Sequence, residues 1–407
     1  MDGPHVPDRW IGALVASTLL VAGTTMPGFL VAALAPSISQ SFEFGPAEIG
    51  LAIALFNGVG ALVSTRGGRW TDEFGAVAML TGGVGLAAAA SLALGALAGS
   101  AVAVTVALAV VGVGRAAATP VAGLLASSHV APGRRGVTIG AQQAGAPLGS
   151  LAAGLALPLL AGPLGWRAIF AMASALMVGS AYAVRRQLDG SMPVRRARAD
   201  RGRRRERPGP SLRPVRVAAL ANTLGNAAAF GLSSFLVVYA VDNGISVGTA
   251  GALLAAVSLL SAATRVLLGH RADRRGEGDR MNAVIALLAA ATVGYLVLIL
   301  GTPGAIVAGA IVGGLGWGWG GLVMLAVVEY QREAPAEAIS LTMTGIFLGA
   351  CIGPLIAGVL AAQFSYTATW IACAAMAVAA AGLYASVRNE LRVGARPRSP
   401  GLPASGD

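Results

Sequence analysis

Long stretches without a single charged side chain dominate this sequence. Residues 10–42, 49–65, 74–114, 136–166, 168–184, 217–241, 243–264, 281–328 and 338–387 contain no Asp, Glu, Lys or Arg. A helical crossing of a bilayer needs about 20 apolar residues, so most of these runs hold one crossing and the three longest hold two. Only 12% of the residues are charged, about half of what a water-facing surface carries, and the chain is therefore an integral membrane protein. A backbone in lipid must satisfy its own hydrogen bonds, and long apolar runs without strict alternation do so as helices and not as a barrel.

Twelve spans follow, near 10–34, 49–66, 77–98, 102–127, 137–161, 167–184, 217–240, 249–268, 281–301, 304–330, 337–361 and 367–387. The first run is longer than the apolar core of a cleaved leader and reads as a span that stays. Cys351 and Cys373, the only cysteines, fall inside expected spans eleven and twelve, which leaves no disulfide framework or metal set. No cofactor is expected.

All 29 basic residues are arginine, and with twelve spans 27 of them lie at the face that carries both termini. Arg167 alone sits at the opposite face, and Arg115 lies within span four. By the positive-inside rule this places both termini in the cytoplasm of a multi-pass protein of the cell membrane. The net charge of +11 is then a topology signal, and nucleic acid is not an expected partner. Twelve arginines and four prolines crowd into residues 185–216, a composition that cannot bury a core. The chain thus divides into an N-terminal bundle (1–184), a cytoplasmic Arg-rich linker (185–216), a C-terminal bundle (217–389) and a tail (390–407) expected to be disordered.

Six spans on each side of the linker invite a search for a repeat. GRWTDEFG (Gly68 to Gly75) follows span two and GHRADRRG (Gly269 to Gly276) follows span eight, 201 positions later, each with Gly, Asp four on and Gly seven on. Spans five and eleven form a second pair, GAQQAGAPLGSLAAG (Gly140 to Gly154) and GIFLGACIGPLIAG (Gly345 to Gly358), each glycine-rich with one proline, Pro147 or Pro354. With these motifs the chain resembles the major facilitator superfamily over essentially its whole length. Gly269, Asp273, Arg274 and Gly276 match that family's cytoplasmic loop signature, and Gly68, Asp72 and Gly75 match it with Glu73 and Ala76 at the basic positions. Arg115 looks like the family's span-four arginine, and the Gly349, Gly353, Pro354 run resembles its glycine-proline motif. GWRAIF (Gly165 to Phe170) is a further family-like turn. The resemblance implies an all-α membrane fold of two pseudo-symmetric six-helix bundles, working as a secondary transporter by alternating access.

The residues can be read independently of the family. An aspartate in such a loop can accept bonds from a neighbouring helix N-terminus; Asp72 and Asp273 are then gate residues, or else simple helix caps. Small residues let helix backbones approach, so Gly140, Gly145, Gly149, Gly349, Gly353 and Gly358, with Pro147 and Pro354, are expected to form seams between the halves, as hinges or as static packing. Polar groups at membrane depth are costly unless buried or wet. Arg115 has no acid at comparable depth, so it either faces a hydrated cavity that takes an anionic solute or is fixed by carbonyls and hydroxyls. Thr119 lies one turn on. Thr24 and Thr25 on span one, Asn57 on span two, Gln142 and Gln143 on span five, and Asn222 with Asn226 on span seven are further cavity candidates. Ser258, Ser261 and Arg265 make one polar stripe on span eight. Trp317 and Trp319 on span ten either stack on a solute or fill space, while Glu329, Arg332 and His129 lie near span ends and suit an ion pair or gating.

His5, His129 and His270 have no ligand spacing, and no nucleotide-binding glycine loop occurs, so an enzyme or an ATP-driven pump is not expected. A receptor or scaffold would need an extramembrane module that is missing. The reading is a monomeric carrier for a small anion or polar metabolite, energised by a proton or solute gradient, with a proton-coupled multidrug efflux antiporter as the alternative. Cysteine labelling in intact cells should find residues 190–210 and the C-terminal tail inaccessible from outside and Asp242 near the outer face; labelling of the linker from outside would reverse the topology.

Overall fold

The structure, a computed structural model, describes residues 6–128, 134–188, 211–275, 280–331 and 335–395. Every element among them is helical. Eleven apolar helical segments are long enough to cross a membrane, and one of them, Arg135–Gln187, has 53 residues. At 1.5 Å per residue that segment would run about 80 Å, well over twice the hydrocarbon thickness. It does not run straight: Gly165 has φ 74° and ψ 159°, a left-handed conformation that costs glycine nothing, and the chain reverses there into a sixth crossing. The spans are therefore Val6–Ala33, Pro46–Phe74, Ala76–Leu97, Ala101–Ser128, the two arms of 135–187, Arg213–Asp242, Val247–Arg275, Arg280–Leu298, 303–330, Pro335–Gln363 and Tyr366–Ala395. The twelve-helix architecture is as the sequence leads one to expect.

Contacts between spans repeat with a period of six. Span one packs on five and six, three on four and six, two on four; likewise seven packs on eleven and twelve, nine on ten and twelve, eight on ten. Between the halves, span two meets eleven and span eight meets five. The two six-helix bundles are thus related by a pseudo-twofold axis.

Glycines make these approaches possible. A Cβ on Gly145 would lie 2.7 Å from the Val21 Cβ, and one on Gly149 would lie 2.7 Å from the Ala22 oxygen. Their counterparts 204 positions on do the same in the second half: a Cβ on Gly349 would lie 2.8 Å from the Asn226 Cβ, and one on Gly353 would lie 2.7 Å from the Ala227 Cα. These four glycines, expected at seams between the halves, instead join spans five and eleven to spans one and seven within each half. Gly358 and Gly140 do cross between halves. A Cβ on Gly358 would lie 2.5 Å from the Pro46 oxygen, and one on Gly140 2.5 Å from the Arg265 oxygen.

Helix boundaries extend past two expected limits. Arg213 to Arg216, assigned to the linker, form the first turn of span seven, and span twelve continues to Ala395, six residues into the expected tail. Leu391 is buried there against the second core cluster, and Glu390 accepts a bond of 3.0 Å from Arg213. Residues 189–210 of the linker, 396–407 of the tail, Gly276, His5, His129 and Arg332 lie outside the described residues, as do the surroundings of Gly68 and the side chain of Asp72.

The seam between spans nine and ten is the tightest test of this packing. A Cβ on Gly294 would lie 2.7 Å from the Gly309 oxygen, whereas nothing lies within 4 Å of one on Gly85. Overpacking of this kind costs about 1–3 kcal/mol. Gly294→Ala should lower the midpoint of thermal unfolding of the purified protein, and Gly85→Ala should leave it unchanged or raise it; equal midpoints would show that the seam does not hold the bundle.

Candidate functional site

Spans one, two, four and seven enclose a cavity at mid-membrane depth. It offers about 10 Å³ to the centre of a water-sized sphere, enough for roughly one water. Its polar walls are Thr25, Asn57 and Arg115, and its apolar walls are Gly28, Phe29, Ile53, Phe56 and Phe230. Arg115 stands halfway along span four and is 9% exposed. Its Nη1 donates to the Asn57 Oδ1 at 3.0 Å. The Asn57 Nδ2 in turn donates to the Ile53 oxygen at 2.9 Å, which aims the amide oxygen at the guanidinium. Phe56 and Phe347 lie 4.9 and 5.1 Å from the Arg115 Cζ, contacts worth about 0.5–2 kcal/mol each. Among the described residues no carboxylate lines the cavity. The guanidinium is therefore held by a neutral amide and two rings, and its charge is left without a counter-ion there.

The other candidates take distinct places. Thr119 bonds back to the Arg115 oxygen at 2.8 Å. Thr24 and Thr25 bond back to Leu20 and Val21, and only Thr25 reaches the cavity. Asn222 donates to the Thr342 oxygen at 2.9 Å and Asn226 donates to the Asn222 oxygens, so this pair ties span seven to span eleven and lies off the cavity. Ser258 bonds Ser150 at 2.8 Å across the halves. Ser261 is fully buried with its hydroxyl unpaired. Trp317 stacks edge-on against Phe29 and Phe230, at centroid separations of 6.2 and 5.5 Å. The Arg265 Cζ lies over that ring, 5.3 Å from its centroid. The Gln143 carbonyl accepts from Arg265 at 2.8 Å; the Gln142 side chain is half-buried and approaches Gly123. Glu329 pairs with Arg280 within the second half.

The aromatic walls Phe29, Phe56 and Phe230, and Phe347 against the guanidinium, are not among the polar candidates the sequence offers. The adjacency of Phe56 to Asn57 was the available signal.

At the face bearing the described chain ends, Asp273 accepts from the backbone N–H groups of Gly136 and Val137 at 2.8 and 2.9 Å. It sits at the N-terminus of span five, where unpaired N–H groups and the helix dipole favour a carboxylate. Beside it Gly269 meets Gly136 backbone to backbone. Gly75 turns with φ 87° between spans two and three, and Arg274 is exposed. At the opposite face a Cβ on Gly154 would lie 2.8 Å from the Gly251 oxygen, and one on Gly50 would lie 2.5 Å from the Pro354 oxygen. The Gly154–Gly251 contact has its pseudo-symmetry mate at Gly358 and Gly50, 204 and 201 positions away, where a Cβ on Gly358 would lie 3.1 Å from the Gly50 Cα. Backbone contact between the halves therefore occurs both above and below the cavity.

A family model for the Major Facilitator Superfamily matches residues 14–335, and the chain belongs to that superfamily. It is a membrane transporter of the secondary type, whose general mechanism is alternating access. No curated protein matches the chain.

Hydrogen bonds to a charged acceptor are worth about 1.5–3 kcal/mol each, so loss of the Asp273 carboxylate should weaken the contact between spans eight and five. With a cysteine at Ile139, which packs from span five onto the second half's core cluster, Asp273→Ala should raise its alkylation rate about tenfold or more, and Asp273→Asn should raise it less. Unchanged rates in both variants would reduce Asp273 to a helix cap.

Proposed function

We propose that the protein carries a small organic anion, held at Arg115 between the aromatic walls of the central cavity. The observation that carries this reading is a buried guanidinium facing a cavity with no carboxylate. A fork of N–H donors matches a carboxylate in paired geometry, and the Asn57 amide that now occupies one donor is a neutral acceptor that an anion can outcompete. The rings of Phe29, Phe56 and Phe230 give the solute's apolar body a matching surface. This favours an organic carboxylate over a small inorganic oxyanion. The cavity as it stands holds roughly one water, so the solute enters from a state open to one face.

In this reading the halves 1–184 and 217–389 rock about the site, the linker 185–216 and the tail 390–407 lie in the cytoplasm, and the protein acts as a monomer in the cell membrane. A proton or solute gradient supplies the energy, and no chemical step is catalysed. Asp72 is proposed to act at span eleven as Asp273 does at span five. A second reading, proton-coupled efflux of apolar drugs, draws on the same aromatic walls. It is weakened by the lack of a carboxylate in the cavity, since a group that trades a proton for a cation must be anionic when unprotonated.

Uptake of labelled monocarboxylates into proteoliposomes tests the choice. Arg115→Lys keeps the charge but loses the fork and should reduce uptake severalfold; Arg115→Ala should reduce it more than tenfold, as expected from about 1.5–3 kcal/mol for a charged hydrogen bond. If wild type but not Arg115→Ala instead protects cells from lipophilic cations, with no anion carried, the efflux reading replaces the anion one.

A further inference from the structure

Arg265 reaches from one half of the molecule into a helix break of the other. Proline has no N–H, so Pro147 leaves the Gln143 carbonyl, four residues earlier, without its intrahelical donor. The helix is interrupted there: Arg135–Gln143 and Gly145–Gln187 are separated at Ala144. The missing donor comes from span eight, where the Arg265 Nη1 donates to the Gln143 oxygen at 2.8 Å. The Nη2 of the same guanidinium donates to the Trp317 oxygen at 2.8 Å, where span ten changes from α to 3₁₀ over Trp317–Trp319. One side chain thus bonds a carbonyl in each half, of which the Gln143 one is freed by Pro147.

The surroundings are shaped for this contact. Arg265 is 7% exposed and its Nε has no partner among the described residues. A Cβ on Gly320 would come within 3.3 Å of the Arg265 Nη1, and one on Gly140 within 2.5 Å of the Arg265 oxygen, so glycines make the room on both sides. The sequence repeats neither the arginine nor the proline at the pseudo-symmetric positions. The position 201 before Arg265 is Ser64, and the position 204 after Pro147 is Cys351. A device present on one side of a pseudo-twofold axis can bias one closure without biasing the other.

We propose that Arg265 is a latch for the gate at the face bearing the chain termini. It holds spans five and eight together by donating to the carbonyl that Pro147 frees, and it lets go when that gate opens and water reaches the guanidinium. The proposal rests on alternating access between the halves but not on the nature of the solute. A carbonyl acceptor suits this role because it can be traded for water without stranding a second charge in the membrane.

Double electron–electron resonance on spin labels at Arg135→Cys and His270→Cys, both exposed, reads the gate directly. The protein would carry Cys351→Ser and Cys373→Ser and sit in lipid nanodiscs without solute. Arg265→Met should raise the ratio of long to short distances about tenfold, and Arg265→Lys should restore part of the closed population. Pro147→Ala returns an N–H to the Gln143 carbonyl and should open the gate in the same direction with Arg265 intact. The double variant should open no further than the wider single one, as for two parts of one contact. If Arg265→Met does not fold, Pro147→Ala decides alone. Unchanged distances in a folded variant, or strictly additive opening in the double, overturn the latch. Since no solute is present, failure of the anion reading leaves these outcomes untouched.

Discussion

A guanidinium in the hydrocarbon layer must find its partners inside the protein, and this chain places two of them there with no carboxylate beside them. An unpaired buried cation is costly enough to unfold a marginal bundle. Each arginine is met instead by neutral acceptors and aromatic faces: Arg115 by the Asn57 amide with Phe56 and Phe347, Arg265 by two backbone carbonyls with Trp317. Neutral partners hold the charge in place without cancelling it. At Arg115 the uncancelled charge faces a cavity, where we propose that it meets a solute; at Arg265 it joins the two halves. The ring of Trp317, which touches Phe230 on the cavity wall and lies over Arg265, connects the two environments.

The backbone obeys the same economy. Where Pro147 removes a donor, the freed Gln143 carbonyl is taken by a side chain from span eight, which also bonds the Trp317 carbonyl where span ten tightens, because water cannot serve a carbonyl in a dry bundle. Glycine seams then bring spans to backbone contact, within halves at Gly145, Gly149, Gly349 and Gly353 and between halves at Gly50, Gly154, Gly251 and Gly358. The repetition of both sets across the pseudo-twofold axis means that opening at either face separates chemically similar surfaces. What distinguishes the faces is the Asp273 contact with the N-terminus of span five and the Arg265 bond beside it.

Much of the fold was legible because charge-free runs have a length scale, and the bilayer sets that length. The repeat of Gly68–Asp72–Gly75 at Gly269–Asp273–Gly276 was legible as well. Partner identity was not. In a soluble helix one apolar stripe points to the core, but here lipid-facing and protein-facing sides are both apolar, so sequence cannot say whether Gly149 meets span one or the opposite half. The same limit hid Asn222 and Asn226, whose amides satisfy each other and Thr342 although their spacing fits a cavity wall equally well. It also hid Phe29, Phe56 and Phe230, ordinary membrane residues until the fold gathers them around Arg115. The helical extension to Ala395 was missed because Arg388 and Arg392 read as the start of a tail, whereas Leu391 between them is buried.

We propose that the charge of Arg115 is kept free for an anion. Thermal stability of the purified wild-type protein against matched sets of organic anions, cations and neutral solutes tests it most directly, because a ligand that binds only the folded state raises the midpoint by mass action, with about 2.7 kcal/mol expected at a hundredfold excess over its dissociation constant. The account predicts stabilisation by one or more small carboxylates, rising with concentration, and none by their amides or by cations of equal size. Stabilisation by lipophilic cations alone would contradict it.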